Sequence, residues 1–200
     1  MKSSVGPTIG VLALQGAFAK HVEALQRCGA DAVEVRTADE LTRCEALVIP
    51  GGESTTMANL LKTFELVEPL AKLLADGLPT FGTCAGMILL ARNISDGQPD
   101  QLSFDAIDID VRRNGYGRQI NSFEADLTVA GLDGRPIRAA FIRAPMVERV
   151  GDEVEVLARY ENIPVVCRQG SVLVSSFHPE LTADDRLHRL FFDEIVGSSQ

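Results

Sequence analysis

The chain has 200 residues, with 19 Lys and Arg against 28 Asp and Glu, a formal net charge of −9. That length suits one domain burying roughly 70% of its unfolded surface, and the acidic balance weighs against a nucleic-acid partner and against docking on anionic membrane. With 46% hydrophobic and 24% charged residues the chain reads as globular, not disordered. No apolar run approaches the roughly 20 residues of a membrane span. Met1-Lys2-Ser3-Ser4 lacks the apolar core of a signal peptide, so the expected location is the cytoplasm. Cysteines stand at 28, 44, 84 and 167 with no C-x-x-C pair, which suggests reduced thiols and neither zinc nor a dithiol site.

The chain opens on Thr8-Ile9-Gly10-Val11-Leu12-Ala13-Leu14, an apolar run of strand length. A helix is predicted over Ala17 to Cys28, with Phe18, Val22, Leu25 and Cys28 on one face and Gly29 to end it. Strands are predicted at Asp31 to Val35, Ala46 to Ile49 and Leu78 to Gly82. Helices are predicted at Thr55 to Thr63, Leu66 to Asp76 and Ala85 to Ile94. Residues 95–105 read as a surface loop. The second half then carries strand-like runs at 107–112, 124–129, 137–142, 154–160, 163–168 and 172–176 with no clear helices between them. Ala183 to Val196 closes the chain as an amphipathic helix with Leu187, Leu190, Phe191 and Ile195 on its apolar face. The expected fold is α/β: a mixed, mainly parallel sheet flanked by helices, with an antiparallel extension in the second half. A single domain over residues 1–200 is expected, since no linker, repeat or low-complexity tract interrupts it.

Three segments can carry chemistry. Gly82-Thr83-Cys84-Ala85-Gly86 falls between a short strand and a helix, the setting of a nucleophile elbow with Cys84 as nucleophile. The thiol would sit at a helix N-terminus, which favours thiolate, with the Ala85 N–H available to an oxyanion. A thiol nucleophile calls for a base, and there are three histidines. His21 lies beside the apolar face of the first helix and is expected to pack or face solvent. His188, between Arg186 and Arg189, is expected to be solvated. His178 ends the run Val172-Leu173-Val174-Ser175-Ser176-Phe177, where strand ends build sites, and Glu180 two residues on can orient it. The third segment, Pro50-Gly51-Gly52-Glu53-Ser54-Thr55-Thr56, exposes backbone N–H groups before a helix. Such a turn can bind an anion or complete an oxyanion hole, and it has no G-K-[ST] of a phosphate loop.

Together these segments resemble a class I (triad) glutamine amidotransferase. Narrower segments resemble one branch of that class, the glutaminase subunits of two-component pyridoxal 5′-phosphate synthase. They are Gly10-Val11-Leu12-Ala13-Leu14-Gln15-Gly16, Gly51-Gly52-Glu53-Ser54-Thr55-Thr56-Met57, Arg112-Arg113-Asn114, Gly117-Arg118-Gln119, Asn121-Ser122-Phe123-Glu124 and Phe141-Ile142-Arg143-Ala144-Pro145. The likeness runs from about residue 8 to 196. Ala17, Phe18 and Tyr116 are positions expected to vary.

The resemblance implies glutamine contacts at Gly52, Glu53, Ser54, Arg113, Ile142 and Arg143, with Arg the natural partner of the substrate's α-carboxylate. Adjacent Arg112 and Arg113 point to opposite faces of a strand, and strand logic alone leaves them level; the resemblance selects Arg113. Cys84, His178 and Glu180 would form the triad, and the N–H groups of Gly52 and Ala85 the oxyanion hole. No metal or organic cofactor is needed for glutamine hydrolysis. The resemblance further implies that ammonia passes to a synthase subunit, and that Gln15-Gly16, where a glycine tolerates a flipped peptide, lies at the contact with it. The rival readings are a glutaminase serving another biosynthetic synthase, a cysteine peptidase or deglycase, and a non-catalytic redox or regulatory protein built on Cys84. The narrow motifs weigh against the first two, and the presence of both His178 and Glu180 against the last.

Overall fold

The structure, a computed structural model, describes residues 6–97, 101–113, 115 and 122–197. Asn114, Tyr116, Gly117-Arg118-Gln119, Asn121 and part of the 95–105 loop lie outside the described residues.

A seven-stranded sheet is built from β1 (Thr8–Leu12), β2 (Asp31–Val35), β3 (Ala46–Ile49), β4 (Thr80–Thr83), β10 (Glu155–Tyr160), β11 (Ile163–Gln169) and β12 (Val172–Ser175). Its strand order is β10-β11-β12-β4-β3-β1-β2. The five strands from β12 to β2 are parallel, and β10 and β11 add an antiparallel edge. Alternation of side chains divides two cores between the faces. Ile9, Val11, Ala46, Val48 and Leu173 join α1 (Phe18–Cys28) and α6 (Arg186–Leu190) on one face. Leu12, Leu47, Ile49 and Val174 join α3 (Ser54–Thr63), α4 (Val67–Ala75) and α5 (Ala85–Leu90) on the other. Among the described residues no helix is long and apolar enough to cross a membrane.

The α/β fold and its mainly parallel sheet follow the expectation, with five differences. The helix expected over Ala85 to Ile94 stops at Leu90, and β5 (Ala91–Ile94) takes its last four residues into a second sheet. That sheet, β5-β6-β9, pairs β5 with β6 (Ile107–Arg112) and β6 with β9 (Met146–Val150). Periodicity cannot separate helix from strand in so apolar a run, and the β6 ladder decides it. Second, β9 was not expected at all. Third, β7 (Ser122–Leu127) and β8 (Ile137–Ile142) form a separate antiparallel ribbon, so only β10 and β11 extend the main sheet. Fourth, the last helix starts at Arg186 and opens into a π turn over Phe191–Val196, while Leu187, Leu190, Phe191 and Ile195 are buried as predicted. A short helix, α2 (Ala38–Leu41), also escaped the periodicity. Thr37 and Glu40 cap it reciprocally, a T-x-x-E signature visible in the sequence.

Candidate active site

Four neighbouring parallel strands, β12, β4, β3 and β1, each release a chemically marked segment from the same edge of the sheet. They carry His178, Cys84, Gly51-Gly52 and Gln15-Gly16 respectively. In open α/β sheets the carboxyl ends of the strands are where ligand sites form.

Cys84 follows β4 with φ 49° and ψ −102°, a conformation that L residues rarely adopt. The turn is held from both sides. The Cys84 N–H donates to the Ser175 carbonyl of β12 at 2.8 Å. Gly86 presses so close to β3 that a Cβ there would lie 2.1 Å from the Ile49 carbonyl oxygen. Ala85 opens α5, so its N–H has no intrahelical acceptor. The thiol itself is buried, with Sγ 3.9 Å from the Ile142 carbonyl.

β12 runs parallel to β4 with Ser175 level with Thr83, which brings the chain after β12 alongside the elbow. The His178 N–H donates to the Ala140 carbonyl of β8 at 2.9 Å, fixing the backbone there. His178 and Cys84 meet across Gly51: a Cβ at that glycine would lie 2.3 Å from His178 Cε1 and 3.2 Å from Cys84 Cβ. His178 Nδ1 and Glu180 Oε1 are 2.8 Å apart. Nδ1 is thereby engaged, and Nε2 is the nitrogen left to serve the thiol. Burial works against a charged His178, but the Cys84 sulfur and the Glu180 carboxylate outweigh it and raise the pKa to about 10. Burial likewise opposes ionisation of Glu180, and its histidine neighbours prevail, so its pKa is lowered. The arrangement favours an imidazolium at His178 supported by the Glu180 carboxylate.

Gly52, Glu53, Ser54, Arg113, Ile142 and Arg143 all line one cavity of about 200 Å³ together with Cys84, His178 and Ile88. That volume is below the roughly 300 Å³ at which drug-sized pockets begin, a size for a small metabolite. Arg113 faces it, steadied by Thr55 Oγ1 at 3.2 Å and by the Asp96 carbonyl at 3.3 Å. Arg112 points elsewhere and pairs with Glu148 at 2.5 Å. The Glu53 carboxylate is turned onto the Thr55 and Thr56 N–H groups as the cap of α3, so Glu53 offers the cavity its backbone more than its charge.

Gln15 and Gly16 abut the glycine turn. Gln15 Nε2 donates to the Glu53 carbonyl at 2.6 Å. Gly16 has φ +80°, and a Cβ on it would lie 1.9 Å from the Gly51 carbonyl oxygen. The Gly51–Gly52 peptide is trans, so with its oxygen against Gly16 its N–H points the opposite way.

His188 is placed differently from expectation, fully buried and not solvated, and His21, expected to pack or face solvent, is fully buried as well. The buried stripe of α1 runs through His21, Ala24, Leu25 and Cys28, while Phe18 and Val22 are only partly buried. His21 Nε2 lies 3.3 Å from Glu180 Oε2, and its Nδ1 lies 2.9 Å from His188 Nε2. The spacing of Phe18, His21, Leu25 and Cys28 (three, four, three) puts His21 on the apolar stripe but does not name its partners.

A strained thiol at a helix start, backed by imidazole and carboxylate beside a glycine-lined cavity, is the layout of a thiol hydrolase acting on acyl groups. The chain belongs to the SNO glutamine amidotransferase family, whose model matches residues 11–197. It is 58% identical over 194 residues to pyridoxal 5′-phosphate synthase subunit PdxT of Frankia alni, covering 97% of each chain. It is 56% identical over 191 residues to the PdxT subunit of Mycobacteroides abscessus, covering 96% of this chain and 98% of that one. A crystal structure of a glutamine amidotransferase superposes with a TM-score of 0.87 at 50% identity, over 94% of this chain and 98% of that one. PurLQS from Thermotoga maritima shares the fold at 18% identity, with a TM-score of 0.67 over 98% and 100% of the two chains.

Proposed function

We propose that this chain hydrolyses L-glutamine to L-glutamate and ammonia and hands the ammonia to a pyridoxal 5′-phosphate synthase subunit. The observation that carries the reading is the Cys84–His178–Glu180 alignment, with Cys84 and His178 lining the cavity, in a chain of the glutamine amidotransferase family.

The Cys84 thiolate attacks the side-chain amide carbon, and the oxyanion forms beside the N–H groups of Gly52 and Ala85. As the sulfur becomes bonded to carbon, the negative charge that helped to raise the His178 pKa is lost. The imidazolium therefore becomes more acidic at the moment the leaving nitrogen needs a proton. Ammonia departs and a glutamyl thioester remains. Water then attacks the thioester carbonyl, His178 accepts its proton, and glutamate leaves as the thiolate returns. Glu180 orients His178 throughout. Arg113 and Arg143 supply cations for the substrate's α-carboxylate, and Gly52, Glu53, Ser54 and Ile142 border the rest of it.

The names of the relatives support the synthase as ammonia acceptor. Gln15 and Gly16 then form the contact by which the synthase sets the Gly51–Gly52 peptide and switches the site on. Four free thiols suit a reducing compartment, which favours the cytoplasm. The test is glutamate release from glutamine by the wild-type chain and by Cys84→Ala, with and without the synthase subunit. Release that requires Cys84 and rises with the synthase supports the reading; release by the folded Cys84→Ala chain overturns it.

A further inference from the structure

Glu180 has two carboxylate oxygens and the triad uses one. The other, Oε2, is buried and has no well-aligned hydrogen bond, yet it faces His21 Nε2 at 3.3 Å with both side chains fully inaccessible to water. We propose that His21 is a positioning residue of the triad: its Nε2–H holds the second oxygen of Glu180, and His188 fixes the tautomer that makes this possible.

The tautomer can be worked out from the neighbours. If His21 carried its proton on Nδ1, its Nε2 lone pair would face the Glu180 carboxylate. His188 would then accept from that Nδ1–H at its Nε2, leaving an N–H on its buried, unpartnered Nδ1. That arrangement sets lone pair against carboxylate and also orphans a buried donor. With the proton on Nε2, His21 bonds Thr83 Oγ1 at 3.3 Å and turns the positive end of the same N–H dipole towards Glu180 Oε2, also 3.3 Å away. His21 Nδ1 then accepts from the His188 Nε2–H, and only a lone pair on His188 Nδ1 is left without a partner. Phe81 packs edge-on against both imidazoles, with centroids 6.5 Å from His21 and 5.8 Å from His188. The rings are thus held where α1 and α6 meet beneath the sheet.

The charges agree with a neutral donor. His21 is faced by Glu180 and by His178; His188 is faced by His21, Glu180, Asp185 and Arg27. Burial lowers the pKa of His21 and takes that of His188 to about 3, so both stay uncharged while His178 carries the positive charge. His21 therefore supports Glu180 through an N–H dipole without competing for its proton. A carboxylate held at both oxygens cannot rotate away from His178, and the imidazolium keeps its partner through both halves of the reaction.

The inference rests on the glutaminase reading for its kinetic test, and two further measurements stand apart from that reading. In the chain with its synthase subunit, His21→Leu should lower kcat for glutamate release by about 10–100-fold, the range for partners that orient a reacting group. The KM for glutamine should change far less. His21→Gln, which returns an amide N–H near the position of Nε2, should recover most of the loss. Alkylation of Cys84 in the full-length chain, followed against pH, should shift to higher pH in His21→Leu and return in His21→Gln. Nitrogen-15 spectra of the wild-type histidine side chains should show His21 and His188 neutral and protonated at Nε2. An Nδ1–H tautomer at His21 overturns the inference, as does a folded His21→Leu with wild-type kcat and alkylation profile. Equal loss in the Leu and Gln variants also overturns it, by reducing His21 to packing. Should His21→Leu fail to fold, the tautomer decides. A wild-type chain that releases no glutamate overturns the glutaminase reading and leaves the alkylation and spectral tests in force.

Discussion

Replacing Gly16 by alanine probes the link between the end of β1 and the proposed oxyanion donor. At φ +80° an L residue is strained by about 1–2 kcal/mol. The added methyl also lands 1.9 Å from the Gly51 carbonyl oxygen, so the Gly51–Gly52 peptide must move. That peptide carries the N–H assigned to the oxyanion, and loss of one such donor costs about 10²–10³ in kcat. Gly29 and Gly77 are matched controls, with φ +98° and +87° and nothing within 4 Å of an added Cβ. Alanine at either should lower the thermal midpoint by about 2–8 °C, at 2–4 °C per kcal/mol for a chain this size, and leave turnover intact. Gly16→Ala should lose at least as much stability and, in addition, most of its synthase-activated turnover, with a smaller change in KM. The assay is steady-state glutamate release with saturating synthase subunit beside thermal unfolding of the same preparations. Gly16→Ala with wild-type kcat and the midpoint of the controls would refute the coupling between Gly16 and the donor.

Three further outcomes follow from the site. A thiol alkylating agent near neutral pH should label Cys84 alone, since burial raises the Cys28 thiol and pushes Cys44 to about 11 and Cys167 to about 12; peptide mass spectrometry reads the result. His178 has a folded pKa raised to about 10 from 6.5, so its contribution to stability is whole below about 6.5 and is lost as pH rises through 10. His178→Asn should therefore flatten the fall of the thermal midpoint across that window and should reduce turnover more than Glu180→Gln does. Arg113→Ala should raise the KM for glutamine strongly, and a silent result would move the carboxylate contact to Arg143, since Arg112 is engaged by Glu148.

What the sequence disclosed and what it hid divide along the sheet. Cys84, the Gly51-Gly52 turn and His178 each end a short apolar strand, and strand ends are readable because composition changes abruptly there. Glu180 was legible from its nearness to His178, although a 3-10 turn over Pro179–Leu181, not the extended run expected, brings its carboxylate to the ring. Parallel pairing then gathers these segments at one edge without any further specification in the loops. The choice between Arg112 and Arg113 needed a third dimension, because β6 ends at Arg112 with Arg113 in the turn beyond it, and only their placement about the cavity separates them. The run from Met87 to Ile94 needed one too, since the break between α5 and β5 comes from the β6 ladder.

His21 and His188 were hidden for a different reason: α1 and α6 lie 167 positions apart where these rings touch, and no local pattern announces that meeting. A histidine on an apolar stripe is ambiguous in sequence because it can be filler or partner. The deciding fact is what lies opposite, and here that is the unused oxygen of Glu180. The elements that display the reacting groups were therefore legible from the strand ends, while the support behind them emerges only from helix packing beneath the sheet. That support also bears on the chemistry. A carboxylate gripped on one oxygen alone can swing about its last torsion, and in the proposed mechanism His178 holds its orientation through two proton transfers. On the proposed reading His21, buried 3.3 Å from Glu180 Oε2 and outside the lining of the cavity, supplies the second hold.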